Sequence, residues 1–425
     1  MRFTVDGSWQ RFGRVVVAGS PLKLFRTSAR GEMVLAAIET DEDVATSELV
    51  DRLLDAGAIH PAIHPMAEPQ TSPTGSSFTV RDVTVVTPQL GGTVHDDERI
   101  TVDDGSAPPL ENATIRLPIN SGPAAARNAA RPLIDTPLVA FVDTDVSSDE
   151  TQWLTPLLVH FDDPQVGMVA PRVCGEDGSP LDLGSNPARI RAGTRVSYVP
   201  GAALVVRVDA FDAIGGFDEG LRFGEDVDFV WRMDEAGWRC RYEPSGTVWH
   251  EPRPTLRGRM LQHAGYGASA APLALRHPGA LAPTRMNAWT AAVWALVAVG
   301  HPVLALTTAA GSAAALVPKL ADLPPTTSLN LALRGHLLAA GQLAAAIRRV
   351  WWPIVLAASL VSKRMRWVGL AAIVANVRST PTDVAYGWGV WKGMRHHQSW
   401  APIIPAVSSW PGRRNPPARS TRSMK

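Results

Sequence analysis

Two acidic clusters and a later histidine are the residues whose types and spacing could do chemistry. The first is Phe141-Val142-Asp143-Thr144-Asp145-Val146, at the end of an apolar run. The second is Gly224-Glu225-Asp226, and His250 follows in Val248-Trp249-His250-Glu251-Pro252. Alternate residues of a strand share a face, so Asp143 and Asp145 are expected on one side of a strand end. Two charges capping a buried strand need hydrogen-bond donors or a cation. Mg2+ or Mn2+ held by one or two carboxylates and by ligand phosphates meets that need. Such a cation neutralises a departing diphosphate, and a neutral His250 imidazole adds a further ligand. Glu225 and Asp226 open a helix, a place acids favour through the helix dipole alone. The sharper reading makes Asp226 a general base for an attacking hydroxyl, with Glu225 beside it. In this order the set suits metal-assisted transfer of a sugar from a nucleotide to a hydroxyl.

The elements that must position these groups alternate strand and helix from Phe78 onward, the pattern of an α/β sheet. Val83–Thr87 reads as a strand ended by Pro88, and Arg99–Val102 as a second that runs into Asp103-Asp104-Gly105-Ser106. Ala113–Leu117 is a third. Leu138–Val142, apolar throughout, is a fourth and central one. Ligands of open α/β sheets sit beyond the carboxyl ends of the strands, where Asp103, Asp104, Asp143 and Asp145 fall. Asp103 and Asp104 have two readings: a plain turn, or carboxylates accepting from a nucleobase N–H or a ribose hydroxyl. Ser121-Gly122-Pro123 opens an Ala-rich helix whose free N–H groups suit a phosphate. Arg127 on that helix adds a full charge, or alternatively pairs with a surface carboxylate; Asn128 follows it. Tyr198–Ala203, including Gly201 and Ala202, is read as the acceptor side.

The flanks are of different character. Residues 1–66 read as a small winged-helix-like unit: a strand at Arg14–Ala18, a helix capped by Ser28, a second helix at Glu48–Ala56 and a closing strand. Its acidic residues, Glu32, Glu39, Asp41, Glu42, Asp43, Glu48, Asp51 and Asp55, would repel a nucleic-acid phosphate. Residues 67–78 read as a linker, 79–265 as the sheet domain, 266–410 as an apolar helical region and 411–425 as a disordered basic tail. Met286–Pro318 is 33 residues without Asp, Glu, Lys or Arg, whereas one helical span needs about 20. Gly300-His301-Pro302 cuts that run in two. A second apolar piece, Val350–Val361, lies between Arg348-Arg349 and Lys363-Arg364. Two readings stand: a helical domain packed on itself, or helices that dip into the inner membrane face, as the basic flanks favour. A net charge of +1 gives no reason to expect nucleic-acid binding. Cys174 and Cys240, without CxxC spacing, fit neither a disulfide framework nor a cysteine zinc site and suit a reducing cytoplasm. Met1–Asp6 opens no early apolar run, so no secretory signal is expected.

The ordered run of Val102–Ser106, Gly122–Ala129, Phe141–Asp145, Gly216–Glu219 and Gly224–Asp226 resembles the family 2 glycosyltransferases of GT-A fold. That resemblance implies an inverting, metal-dependent transferase with Asp226 as base. It also implies a nucleotide-sugar site around Asp103, Asp104, Arg127, Asn128 and Asp143, a metal held by Asp143, Asp145 and His250, and an acceptor side that includes Asp218 and Glu219. The N-terminal unit resembles the PqqD-like peptide-recognition module of mycofactocin-system glycosyltransferases, and the stretches Ala271–Gly279 and Asp383–Gly393 also resemble that family. This implies transfer of a hexose, glucose from UDP-glucose, onto a peptide-derived redox cofactor at the inner face of the plasma membrane. One departure stands out. Only eleven residues separate Pro88 from Ile100, where the family has a full helix and parallel crossovers usually take about a dozen residues or more. Gln89 stands there, where a polar residue would begin to embrace the nucleobase. The segment is therefore either a bare loop or a sign that the first strand is displaced.

Overall fold

The computed structural model describes residues 1–63, 76–94, 99–147, 149–175, 179, 181–250 and 255–408. The tail at 411–425, most of the linker at 67–78, and Glu251 and Pro252 lie outside them. The chain divides into two compact units, Met1–Thr255 and Leu256–Lys425.

The first unit begins with β1 (Phe3–Val5), β2 (Gln10–Phe12), β3 (Val15–Ala18) and β4 (Lys23–Arg26). Helices α1 (Ala29–Glu39) and α2 (Glu48–Asp55) follow, then β5 (Ile59–Pro61). Strands β2, β3 and β4 form a small antiparallel sheet, while β5 returns to pair with β1. Ser28 and Ser47 cap the two helices by accepting from Gly31 N and Val50 N. Both helices bury one apolar stripe, Leu35 and Ile38 with Val50, Leu53 and Leu54, against Phe3, Val16 and Phe25.

Next come β6 (Val83–Gln89), β7 (Ile100–Asp103), β8 (Ile115–Arg116), α3 (Pro123–Ala129), β9 (Leu138–Val142), β10 (Val146–Ser147) and α4 (Glu150–Leu158). They are followed by β11 (Val166–Cys174), β12 (Ala188–Ile190), β13 (Ala203–Arg207), α5 (Val208–Ala213), α6 (Glu225–Glu235) and β14 (Arg239–His250). The mixed sheet runs β10-β14-β11-β13-β9-β6-β7-β8, with β12 paired to β14. Its core joins Leu138, Ala140 and Val142 of β9 to Trp153, Leu154 and Leu157 of α4.

The first strand is not displaced. It lies parallel between β9 and β7, and among the described residues no helix links β6 to β7. The strand also runs through Pro88 rather than stopping there. Pairing with β9 ends at Val86, so Pro88 is paired on the β7 side alone, where a missing N–H is tolerated. The third strand is shorter than the sequence pattern suggests, with only Ile115 and Arg116 paired to β7.

The second unit comprises α7 (Leu256–Ala268), α8 (Ala270–Arg276), β15 (Arg285–Asn287), α9 (Ala288–Ala298), α10 (Pro302–Ala314), α11 (Pro325–Ala346), α12 (Trp352–Val361), α13 (Lys363–Ala375), α14 (Thr380–His397) and β16 (Ala406–Ser408). The boundary drawn after residue 265 falls inside α7. Gly300-His301-Pro302 does separate two helices, but the Val350–Val361 piece is the end of a continuous helical stretch, Pro325–Val361. That stretch and Pro302–Leu320 are long and apolar enough to cross a membrane, and only 17% of each apolar window is buried within the protein. Arg348 is therefore no flank. It lies in a π turn inside the long helix, buried, paired to Asp383 at 3.0 Å and donating to Ala372 O.

Helices α7 and α14 touch backbone to backbone. A Cβ on Gly389 would overlap the carbonyl of Ala264, and one on Gly267 the carbonyl of Tyr386, far inside van der Waals contact. Such close approach of two backbones requires a residue without a Cβ at each contact. Gly389→Val is expected to destabilise this unit by about 3 kcal/mol or more, the upper end of overpacking costs. Thermal unfolding in detergent reads the effect, and an unchanged melting temperature would refute the packing argument.

Candidate active site

The cluster is assembled by the loop after β9, by α3, by the turn before β13 and by the first turn of α6. Strand β9 stops at Val142, and Asp143 N donates to Ala202 O at 2.9 Å. The Asp-Thr-Asp segment is thus a turn and not a strand end. Its two carboxylates part company: Asp143 meets Arg127, and Asp145 meets His250. His250 is brought there by β10, which pairs Val146 with His250 at the end of β14. Its Nε2 lies 3.2 Å from Asp145 Oδ2, while its buried Nδ1 has no hydrogen-bond partner among the described residues. Asp145 raises the affinity of His250 for a proton.

Arg127 is the hub. Only 1% of its side chain is exposed. One Nη2 donates to Asp143 Oδ1 at 2.7 Å and to Gly201 O at 3.0 Å, and Nη1 lies 3.5 Å from Glu225 Oε1. Its guanidinium carbon sits 5.2 Å from the centre of the Phe217 ring. That ring stacks on Phe229 of α6 at 4.1 Å and meets Phe141 of β9 edge-on, which ties the loop before the acidic pair to the central strand. Neither sequence reading of Arg127 describes this. Its partners within the chain are two acids of the site, the partly exposed Asp143 and the buried Glu225.

Asp226 accepts from Gly201 N at 2.9 Å through Oδ2 and from Val227 N at 2.8 Å through Oδ1. Gly224, at φ +77°, starts α6 in a left-handed conformation that only glycine adopts freely. Burial pushes the carboxyls of Asp143, Glu225 and Asp226 above the ordinary carboxylate range, and Arg127 opposes the rise in all three. Gly201 has no room for a side chain: a Cβ there would meet Arg127 Nη2 at 3.2 Å and Asp226 Cβ at 3.3 Å. Ala202, next to it, supplies the carbonyl that fixes Asp143.

The nucleotide-side expectations are altered. Asp103 is fully buried and accepts from Ser106 N, Leu110 N and Arg116. Asp104 accepts from Ser121 N at 2.7 Å and Gly122 N at 2.9 Å. Two N–H groups at the helix start, those of Ser121 and Gly122, are therefore held by the chain's own carboxylate, and α3 is only seven residues long. Asn128 is used in the same manner: it donates to Phe217 O and Glu219 Oε1 and accepts from Phe217 N. Asp218 caps its own turn by accepting from Gly220 N. Gln89 donates to Gly91 O and Thr93 O and so shapes the short loop after β6. Asp103 and Asp104 stand at a strand end as anticipated, whereas Asn128 lies on α3 and Asp218 in the loop before α6.

Among the described residues, no group of three His, Cys, Asp or Glu is arranged to hold a metal. The expected triad of Asp143, Asp145 and His250 is divided because Arg127 takes Asp143. Asp145 and His250 remain as two converging donors. Two protein ligands fit a hard cation that takes its remaining ligands from phosphate and water.

The mixed α/β sheet, with a carboxylate turn beyond its central strand and an acidic pair opening a helix, is of GT-A-like type. The profile described as Glycosyl transferase family 2 matches residues 86–191. The pre-mycofactocin glycosyltransferase of Mycobacterium tuberculosis is 35% identical, over 93% of this chain and 95% of its own length. The succinoglycan biosynthesis protein ExoA of Rhizobium meliloti is 29% identical over 28% of this chain and 43% of its own. Among solved structures, a mannosyltransferase from Pyrobaculum calidifontis in complex with GDP-Man and Mn2+ aligns at TM-score 0.37 and 19% identity, over 70% of this chain and 86% of that one. The chain belongs to the pre-mycofactocin glycosyltransferases, within glycosyl transferase family 2, and is a glycosyltransferase.

Proposed function

We propose that this enzyme transfers a hexose, glucose from UDP-glucose, onto the peptide-derived precursor of mycofactocin, with inversion at the anomeric carbon. The observation that carries the reading is the single cluster in which Arg127 joins Asp143, at the donor end, to Glu225 directly and to Asp226 through Gly201, at the acceptor end. The acceptor hydroxyl approaches beside Gly201, and Asp226 removes its proton as the oxygen attacks the anomeric carbon. The C1–O bond to the diphosphate breaks on the opposite face. A carboxylate suffices as base because the attacking oxygen becomes acidic late in bond formation. Gly201 N and Val227 N hold that carboxylate in place and Arg127 moderates its proton affinity, while Glu225 beside it pairs with the same arginine. Asp145 and His250 would hold Mg2+ or Mn2+ together with the donor diphosphate, and the cation would offset the charge of the leaving group. Asp103, Asp104 and Asn128 shape the nucleotide and acceptor walls through the backbone contacts described above. Residues 1–63 are read as a PqqD-like winged-helix module for the peptide-derived acceptor, and the apolar helices of the second unit as an attachment to the inner membrane face.

The test is UDP release by purified protein, with UDP-glucose and other nucleotide sugars, with and without Mn2+ and with the precursor present or absent. Metal-dependent release that rises with the precursor is expected. Retention of every nucleotide sugar intact, with no metal-dependent UDP binding, would instead leave a binding protein whose short β6–β7 connection no longer holds a donor.

A further inference from the structure

The segment between β12 and β13, residues 191–202, is tied at both ends. At its far end Gly201 donates to Asp226 Oδ2 and accepts from Arg127. At its near end Arg195 is tied to the N-terminal module: its backbone N–H donates to Ser20 Oγ at 2.6 Å, and its Nη2 to Asp6 Oδ2 at 3.0 Å. Asp6 is 5% exposed and is itself held by Ser8 and His60, so the anchor does not lie on a loose surface loop. The module is fastened to the transferase sheet a second time. Buried Arg239 of β14 meets Asp51 at 3.0 Å and Asp55 at 2.9 Å, both on α2, and Asp163 at 2.8 Å on the sheet side. The acidic residues that argue against nucleic acid thus serve in part as a docking face.

Five residues separate the module anchor from the glycine that touches the base. The route is short and stiff: Thr194 Oγ1 folds the turn onto Arg191 O and Val196 O, and Trp231 of α6 donates to Ser197 O at 2.7 Å. A shift at Arg195 has little slack to absorb it before Gly201.

We propose that Arg195 is a positioning residue. It uses the docked N-terminal module as a fixed post to hold the acceptor-side segment, and through Gly201 it sets the place of Asp226 relative to the incoming hydroxyl. The module is then part of the transferase site's framework, whatever else it binds. The inference rests on the reading of Asp226 and Gly201 as the acceptor side, and its test separates the two. Arg195 touches neither donor nor base, so its loss should affect transfer to the acceptor far more than donor binding or donor hydrolysis.

The experiment compares the full chain with Arg195→Met, Arg195→Lys and the double variant Ser20→Ala/Arg195→Met. The readouts are transfer kinetics, metal-dependent UDP-glucose hydrolysis and amide hydrogen exchange of residues 196–202. The double variant is expected to lose about tenfold or more in kcat/KM for transfer, since a small misplacement of a reacting group costs up to ~10²-fold. Hydrolysis should stay within twofold of the unaltered chain. Arg195→Lys, which keeps the charge toward Asp6, should recover most of the loss. Exchange at 196–202 should quicken in the double variant, a readout that does not depend on turnover. Unchanged exchange there, or equal loss of transfer and hydrolysis, overturns the proposal. An unaltered chain that turns over no donor, with exchange at 196–202 still quickened in the variant, overturns the transferase reading and leaves the tie standing.

Discussion

Replacing Asp226 with Asn is expected to slow transfer by ~10²–10⁴-fold, the usual contribution of a positioned base, while donor affinity stays close to that of the unaltered enzyme. The carboxylate makes two backbone contacts, to Gly201 N and Val227 N, and the amide keeps one of them through its carbonyl. The change therefore removes the base without dismantling α6. Stability should hold for a further reason. A carboxyl whose affinity for protons is raised by burial binds more protons in the folded than in the unfolded chain over the window between its two pKa values. Stability then falls as pH rises through that window, so the charge burdens the fold at neutral pH and its removal relieves it. The same rise sets the acid limb of activity. As the proposed base Asp226 must be ionised to act, and burial lifts both it and Glu225, so activity should fall away above the ordinary aspartate value of about 3.9 as pH drops. A profile of kcat/KM against pH for the native enzyme, beside single-turnover rates and UDP-glucose affinity for the variant, tests both statements. Equal losses of rate and donor affinity would place Asp226 in the binding of donor rather than at the acceptor proton.

How far the sequence shows this site depends on the distance over which each group acts. Local signals are well marked: Ser28 caps its helix, Gly300-His301-Pro302 separates two, and five apolar residues make Leu138–Val142 the buried strand beside the site. Strand ends were also legible, because Asp103, Asp104 and Asp143 follow apolar runs directly. What could not be read was which donor each carboxylate would face. Asp104 is engaged by N–H groups 17 and 18 residues away in sequence, and Arg127 reaches Glu225 across 98. No periodicity encodes such pairings; they exist only once the sheet has formed. The Asp143–Asp145 spacing suggested one shared face because two residues apart means one face in a strand. Here the chain has already left the strand, and a turn lets the pair diverge. Arg195 and Arg239 carried no signal, since an arginine that ties two modules looks like any surface arginine until both are folded. The long helix of the second unit was misjudged for the opposite reason. Arg348-Arg349 looked like a boundary, yet Asp383 neutralises Arg348 inside the protein and the helix continues past it.

Replacing Arg127 with Met is expected to cost the fold about 3–5 kcal/mol at neutral pH, because removing one partner of a buried ionic cluster leaves the others uncompensated. Here the others are Asp143 and Glu225, with Asp226 close enough to share their field. Arg127 is the cation that opposes the burial-driven rise in all three. Without it their proton affinities climb further, and the window in which the folded chain holds more protons than the unfolded chain widens. The deficit should therefore be greatest at neutral and higher pH and shrink as the solution is acidified and the acids become neutral. Arg127→Lys should fall between the two: an ammonium keeps the charge but lacks the planar fork that serves Asp143, Gly201 and Glu225 at once. Transfer should be lost in Arg127→Met even at temperatures where it remains folded, since Gly201 and both acidic ends lose their common anchor. Urea unfolding of the native enzyme and both variants at two pH values decides the matter. A deficit that does not change with pH would mean that Arg127 acts by filling space over Phe217, and the electrostatic account would fall.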